Sequence, residues 1–265
     1  MSMKDVVRAA SVQFNIALAE VDINLARASA AIERLADRGA ELAVLPEMWS
    51  TGYSYKHLSR LAEQSPRVIE ALCRLSEKHS MVLVGSLAEK QGDCLYNTAA
   101  VIDGGRLAGS YRKLHLFSTM GEDRFLCAGD ELLVADTRLG KIGVAICYDL
   151  RFPELFRRLA LNGAEILCIP AEWPKPRQEH WRTLLKARAI ENQLFVVAAN
   201  CCGLQGKLDF FGLSQIISAR GDILAEAQEA EGEILAELHL EQMLDSREHI
   251  PCFKDRRPEI YGDLS

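Results

Sequence analysis

The chain has 265 residues, 49% of them hydrophobic and 26% charged, which is enough for one large globular core and leaves no compositional signature of disorder. The formal charge of −6 and the lack of any long Lys/Arg cluster argue against nucleic acid as a partner. No apolar stretch approaches the roughly 18 residues of a spanning helix, so no membrane partner is expected either. The opening residues run directly into a strand-like Val6–Val12, as in a protein that is not exported.

Eight cysteines, at positions 73, 94, 127, 147, 168, 201, 202 and 252, lie mostly inside apolar segments. In a chain of this size that pattern predicts reduced thiols in a cytoplasm rather than a disulfide framework. No CxxC pair occurs, the adjacent Cys201 and Cys202 are poorly placed to chelate one zinc, and the six histidines show no HExxH-like spacing. No metal and no cofactor are expected.

In chain order, Val21, Leu25, Ala28, Ile32 and Leu35 repeat in steps of four and three, which predicts an amphipathic helix from about 21 to 37 ending near Gly39. A strand at Leu42–Leu45 follows. Ser65-Pro66 offers an N-cap and a first-turn proline for a helix with Ile69, Leu72 and Leu75 inward, leading into a strand at Met81–Ser86. Asp103-Gly104-Gly105, flanked by Tyr96–Ile102 and Arg106–Tyr111, predicts a hairpin and therefore a mixed sheet. Further on, Ile142–Ile146 reads as a buried strand, Pro153 as a helix start, Ile166–Ile169 as a strand, Gln178–Asn192 as a long helix and Phe195–Ala199 as a strand. Shorter strands are expected between 210 and 238. The end, 249–265, is too polar for a core element and too apolar for a plain tail, and is expected to be an extended arm laid over a partner. No repeat or Pro/Gly/Ser-rich linker divides the chain, so residues 1–265 are read as one α/β domain.

Three strand ends carry chemistry. Cys147 follows the buried run Ile142–Ile146 at a strand-to-helix junction, where backbone N–H groups can favour a thiolate; a cysteine there can equally be a small packing residue. Glu47 follows Leu45-Pro46, and Lys113 follows Tyr111-Arg112. Functional groups of open α/β sheets gather at such ends.

These stretches, Leu45-Pro46-Glu47, Tyr111-Arg112-Lys113-Leu114-His115-Leu116-Phe117 and Cys147-Tyr148-Asp149-Leu150-Arg151-Phe152-Pro153-Glu154, resemble the carbon–nitrogen hydrolases of the nitrilase superfamily. Further likeness lies in Pro170–Pro174, His180–Leu185, Ala187–Asn192 and Ile250–Tyr261, so it spans essentially the whole chain. The resemblance implies an α-β-β-α sandwich with mixed sheets, paired as a homodimer or assembled into a higher homo-oligomer. It implies a Glu, Lys and Cys catalytic set at Glu47, Lys113 and Cys147, with a second glutamate in the loop after the lysine. Glu122 takes that place, although Ala128 stands where the family usually has proline before Gly129.

The roles then follow from chemistry. A thiol with an ordinary pKa of about 8.5 needs a base as it attacks a carbonyl or nitrile carbon, and Glu47 is the candidate. Lys113 suits the developing oxyanion, with the Tyr148 N–H as second donor, and Glu122 holds the ammonium. Tyr148 and Trp173 are candidates to contact substrate, Trp173 as pocket wall or as core. Asp149, Arg151, Glu154, and the pair Arg188 and Glu191 read as structural.

Tyr148-Asp149 after the cysteine looks most like the ω-amidase branch, which hydrolyses the terminal amide of 2-oxoglutaramate or 2-oxosuccinamate to a carboxylate and ammonia through a thioester. Arg112, Arg124, Arg151 and Arg177 are candidates to bind the substrate carboxylate. Alternatives are an N-carbamoyl-amine hydrolase, another aliphatic amidase, or a catalytically silent interaction protein of the same fold.

Overall fold

A computed structural model describes residues 5–262. In chain order its elements are β1 (Val6–Gln13), α1 (Val21–Asp37), β2 (Leu42–Val44), α2 (Leu58–Ala62), α3 (Ser65–His79), β3 (Val82–Gln91), β4 (Cys94–Asp103) and β5 (Arg106–Arg112). The second half contains β6 (Val134–Thr137), β7 (Gly140–Val144), α4 (Pro153–Leu161), β8 (Ile166–Ala171), α5 (Gln178–Asn192), β9 (Phe195–Asn200), β10 (Cys202–Gln205) and β11 (Leu208–Phe211). It closes with β12 (Gln215–Ile217), β13 (Ile223–Glu226), β14 (Gly232–His239), α6 (Glu241–His249) and α7 (Pro258–Tyr261).

Two six-stranded mixed sheets, ordered β14-β1-β2-β3-β4-β5 and β13-β12-β9-β8-β7-β6, stack face to face. Each has three parallel strands at its centre, β1-β2-β3 in one and β7-β8-β9 in the other, with antiparallel strands outside them. Because both faces of the central strands are covered, they are continuous apolar runs. Val44, Val84 and Val101 of the first sheet meet residues of the second in a shared core, while α1 and α3 cover the first sheet's outer face and α4 and α5 the second's. The architecture is the expected α-β-β-α sandwich.

Local physics explains most elements. The inward stripe of α1 is Val21, Ala28, Ala31, Ile32 and Leu35, plus the buried Asn24. Its amide exchanges hydrogen bonds with the Ala17 backbone at 2.9 and 2.8 Å and donates to the Ser50 carbonyl at 3.0 Å, tying the loop before the helix to the segment that follows Glu47. The β4–β5 turn is a two-residue loop in which Gly104 and Gly105 both take positive φ, 57° and 77°, the twist a tight hairpin requires. Ser65 differs from expectation: Gln64 is the cap residue, and the Ser65 hydroxyl donates to the buried Ala88 carbonyl instead.

Two other expectations are corrected. Cys94 and Cys127 form a disulfide between the start of β4 and the loop after Glu122, so the cysteines are not all reduced; six remain free. Both partners are half-buried and 33 residues apart in sequence, a separation that composition alone does not single out. The C-terminal segment is not extended throughout. It follows α6 and contains the short helix α7, and Phe253 lies under two guanidinium groups of its own chain, Arg157 at 5.0 Å and Arg247 at 5.1 Å. Residues 263–265 of that segment lie outside the described residues.

Closing a loop of this length restricts the unfolded chain and is worth about 2–4 kcal/mol. Urea unfolding of Cys94→Ser, or of the parent in a dithiol reductant, should show a loss of that size. The denatured, unreduced parent should bind six equivalents of a thiol reagent.

Candidate active site

The sheets bring their central strand ends to one place. Glu47 lies three residues beyond β2, and its backbone N–H donates to the Ala171 carbonyl at the end of β8 at 3.3 Å, across the two sheets. Lys113 directly follows β5, with its N–H on the Asn97 carbonyl of β4 at 2.9 Å. Cys147 lies three residues beyond β7 and opens a 3₁₀ turn, Cys147–Arg151. Its φ of 46° is left-handed, a strained state for a side-chain-bearing residue, and it lifts the sulfur out of the strand direction into a pocket.

Asp149 holds that strained turn. Fully buried, it accepts hydrogen bonds from the Ile146 N–H at 2.8 Å, the Tyr111 hydroxyl at 2.7 Å and the His115 N–H at 3.0 Å, and pairs with His115 Nδ1 at 2.7 Å. The turn bearing Cys147 is thereby bolted to the segment bearing Lys113. The structural reading of Asp149 holds, as does that of Arg188, which donates to the Leu150 carbonyl at 2.7 Å and pairs with Glu191 at 2.8 Å. Arg151 departs from it: the side chain lies over Trp173 at 4.8 Å and lines the pocket. Glu154 is exposed in the first turn of α4.

The Lys113 ammonium sits between two carboxylates, 2.8 Å from Glu47 Oε1 and 2.9 and 2.8 Å from the two oxygens of Glu122. Burial alone would lower its pKa, but the two negative charges outweigh that cost and hold it well above the ordinary lysine range. Glu122 is pushed up by burial and by Glu47, and Lys113 opposes the shift. Glu47 Oε1 also accepts from the Tyr53 hydroxyl at 2.5 Å and Asn97 Nδ2 at 2.8 Å, while Oε2 takes the Glu172 N–H at 2.8 Å. That fixed carboxylate can take up a proton and return it.

Cys147 is buried, and its sulfur donates to the Glu172 carbonyl at 3.7 Å. Burial first, and the Glu47 charge second, push its thiol well above the ordinary range, and Lys113 only partly offsets them. A thiol that needs a base is what the sequence implies, and the backbone setting that could favour a thiolate does not outweigh burial here. The resting site therefore holds a neutral thiol beside the Glu47 carboxylate.

The pocket over Cys147 is walled by Tyr53, Tyr55, Phe117, Tyr148, Trp173 and Pro174, with Glu122, Glu172, Arg151 and Arg177 as its charged or polar members. Tyr148 stacks on Phe117 at 4.6 Å. Trp173 is both wall and core: it faces the pocket, is 3% exposed, and packs on Trp181 at 5.6 Å. All six expected site residues meet here. Of the four arginine candidates, Arg112 is engaged by Glu89, Arg124 is exposed in the loop, and Arg151 and Arg177 reach the pocket. Sequence reasoning missed Tyr53, Asn97 and Glu172. Tyr53 and Asn97 lie in unremarkable stretches, whereas Glu172, a carboxylate just past the apolar run Ile166–Ala171, repeated the signal that singled out Glu47.

A family model for carbon–nitrogen hydrolases matches residues 8–248. The chain belongs to the carbon–nitrogen hydrolase family. It is 40% identical over 252 residues to a 2-oxoglutaramate amidase of Bacillus subtilis, covering 94% of this chain and 97% of that one. A carbon–nitrogen hydrolase from Helicobacter pylori G27 superposes with a TM-score of 0.91 at 29% identity, covering 97% of each chain. A Glu-to-Gln mutant of an amidase from Nesterenkonia sp. AN1, carrying the acetamide moiety of fluoroacetamide covalently on its active-site cysteine, superposes at 0.86 with 26% identity, covering 96% of this chain and 95% of that one. As a member of the family, this protein is a hydrolase of carbon–nitrogen bonds in linear amides.

A thiol held above its usual pKa gains anion tenfold per pH unit up to and beyond pH 9. Alkylation of Cys147, followed by peptide mass spectrometry, should therefore keep accelerating from pH 6 to pH 9; a plateau near pH 7 would show a thiolate at rest.

Proposed function

We propose that this hydrolase is an ω-amidase of short 2-oxo dicarboxylic acids, acting through Cys147, Glu47, Lys113 and Glu122. The observation that carries the reading is the buried ammonium of Lys113 in contact with both glutamates beside the Cys147 pocket.

Glu47 takes the thiol proton as Cys147 sulfur attacks the amide carbon. The oxyanion that forms is met by the Lys113 ammonium and by the Tyr148 N–H, which belongs to the first turn of the 3₁₀ segment and so lacks a partner within it. Glu47 returns the proton to the leaving nitrogen, the C–N bond breaks, ammonia departs and a thioester remains. The same carboxylate then accepts a proton from water as it attacks the thioester, releasing the acid and restoring the thiol. Glu122 fixes Lys113 and keeps it charged. The acetamide moiety carried on the cysteine of the Nesterenkonia amidase supports a nucleophilic sulfur at this position of the fold.

The substrate reading rests on the likeness to the 2-oxoglutaramate amidase and on the pocket's charge. Arg151 and Arg177 bring two guanidinium groups to it, and neither forms an ion pair among the described residues. They suit the carboxylate at the far end of such a substrate.

Ammonia release from 2-oxoglutaramate, succinamate, N-carbamoyl amines and aliphatic nitriles tests the assignment; activity confined to nitriles or carbamoyl amines would reject it. Cys147→Ala should lower turnover by at least about 10³-fold without unfolding the chain. Arg151→Met should raise KM for 2-oxoglutaramate by about 10- to 100-fold while sparing a small neutral amide, because it removes a charged hydrogen-bond partner.

The homodimer is part of the proposal. Exposed Ile190 on α5 and Leu244, Ile250, Ile260 and Tyr261 near the C-terminus form apolar surface suited to a second copy. Light scattering at micromolar concentration should give twice the chain mass; a monomer would reject the pairing.

A further inference from the structure

Glu172 is a third carboxyl group of the pocket, and nothing in the mechanism above uses its side chain. It immediately follows β8, is 5% exposed and faces the same space as Cys147, Tyr53 and Arg151. Its backbone is committed at both ends: the N–H supports Glu47 Oε2 and the carbonyl receives the Cys147 thiol. Its carboxyl group has no hydrogen-bond partner, and Oε1 is buried. The other members of the cluster, Glu47, Glu122 and Lys113, already sum to one negative charge. Cys201, Tyr53 and Tyr55 supply no positive charge to compensate a further carboxylate, and the two cations of the pocket, Arg151 and Arg177, form no ion pair with Glu172 and do not hold its pKa down. A second uncompensated carboxylate in this desolvated space is far costlier than a neutral acid. Burial and the two glutamates accordingly push Glu172 well above the usual carboxylate range.

A neutral acid carries one O–H donor. Leaving it without an acceptor costs free energy, and the protein offers it none. The amide oxygen of the substrate belongs to Lys113 and the Tyr148 N–H, and its carboxylate to the arginines. The acceptor left over on the chain between them is the 2-oxo oxygen. We propose that Glu172, held as a neutral acid, donates a hydrogen bond to the 2-oxo group of the substrate and so makes the pocket select 2-oxo acid amides over their simple acyl counterparts. This rests on the ω-amidase reading.

The test compares kcat/KM for 2-oxoglutaramate and for glutaramate, the same chain with a methylene in place of the oxo group, in the parent and in Glu172→Leu, Glu172→Met and Glu172→Gln. Glutamine keeps a donor without charge, so its ratio between the two substrates should stay within about fivefold of the parent's, whereas either apolar variant should lower that ratio by about 10- to 100-fold. A ratio unchanged in a folded apolar variant, whether both substrates fall together or neither falls, would overturn the assignment. So would loss of the ratio in Glu172→Gln, which would mean that the ionised carboxylate is needed. A parent that releases ammonia from neither compound would instead reject the ω-amidase reading, and this inference with it.

Discussion

The ammonium of Lys113, stripped of water and held between Glu47 and Glu122, is the constraint around which this molecule is arranged. An unpaired ammonium at that depth would cost several kcal/mol, and one carboxylate partner would leave donors unmet. Two carboxylates satisfy it but create a net negative cluster, which then needs its own donors. Tyr53, Asn97 and the Glu172 N–H supply them to Glu47, and the Phe117 N–H supplies one to Glu122 at 3.2 Å. These donors come from four separate parts of the chain. Folding the sandwich is what brings them together, so the site is a product of tertiary structure and not of any one motif.

The same charge economy explains the state of the nucleophile. Burial first and the Glu47 charge second keep the sulfur protonated, and a cation serving two carboxylates offsets them only in part. That suits an amidase. The proton that blocks the thiol is the one the leaving nitrogen requires, and in the proposed mechanism Glu47 carries it from one to the other. A permanent thiolate would be a better nucleophile at rest but would leave the nitrogen without an acid. The strained backbone at Cys147 contributes in another way, fixing the sulfur over the pocket at a cost that Asp149 offsets by satisfying four partners from buried surroundings.

How far this was legible in the sequence depended on range. Helix α1 and the β4–β5 hairpin follow from periodicity and turn chemistry within a few residues; the bounds of α1 match the expected ones, and β4 and β5 extend theirs by one or two residues. Glu47, Lys113 and Cys147 were visible because each sits just beyond an apolar strand, a pattern that survives without knowledge of the fold. Asn97 gives no such sign: its amide becomes a partner of Glu47 only because β4 lies beside β3. The upward shift of the thiol pKa is hidden in the sequence for a related reason. A helix start is readable nearby, but the degree of burial, which dominates the shift, is set by segments distant in sequence. The Cys94 and Cys127 pairing likewise depends on where a long loop returns.

That loop is where local chemistry and the site meet. Between Lys113 and Gly129 the chain leaves the sheet, presents Glu122 to the ammonium and comes back. Its return is fixed by Gly129 N–H on the Lys113 carbonyl at 2.9 Å and Cys127 N–H on the Leu95 carbonyl at 2.7 Å. Gly129 has to be glycine, since a Cβ there would press into the carbonyl oxygen of Arg112. Leu126 packs with Met48 and Tyr53 in a small apolar cluster beneath the glutamate. With both ends clamped and Glu122 and Leu126 themselves buried, the loop has little freedom to move Glu122 away. The replacement of the usual proline by Ala128 is therefore tolerated: the restraint a proline ring would add is already supplied by the backbone bonds on either side and by the bridge from Cys127 to Cys94.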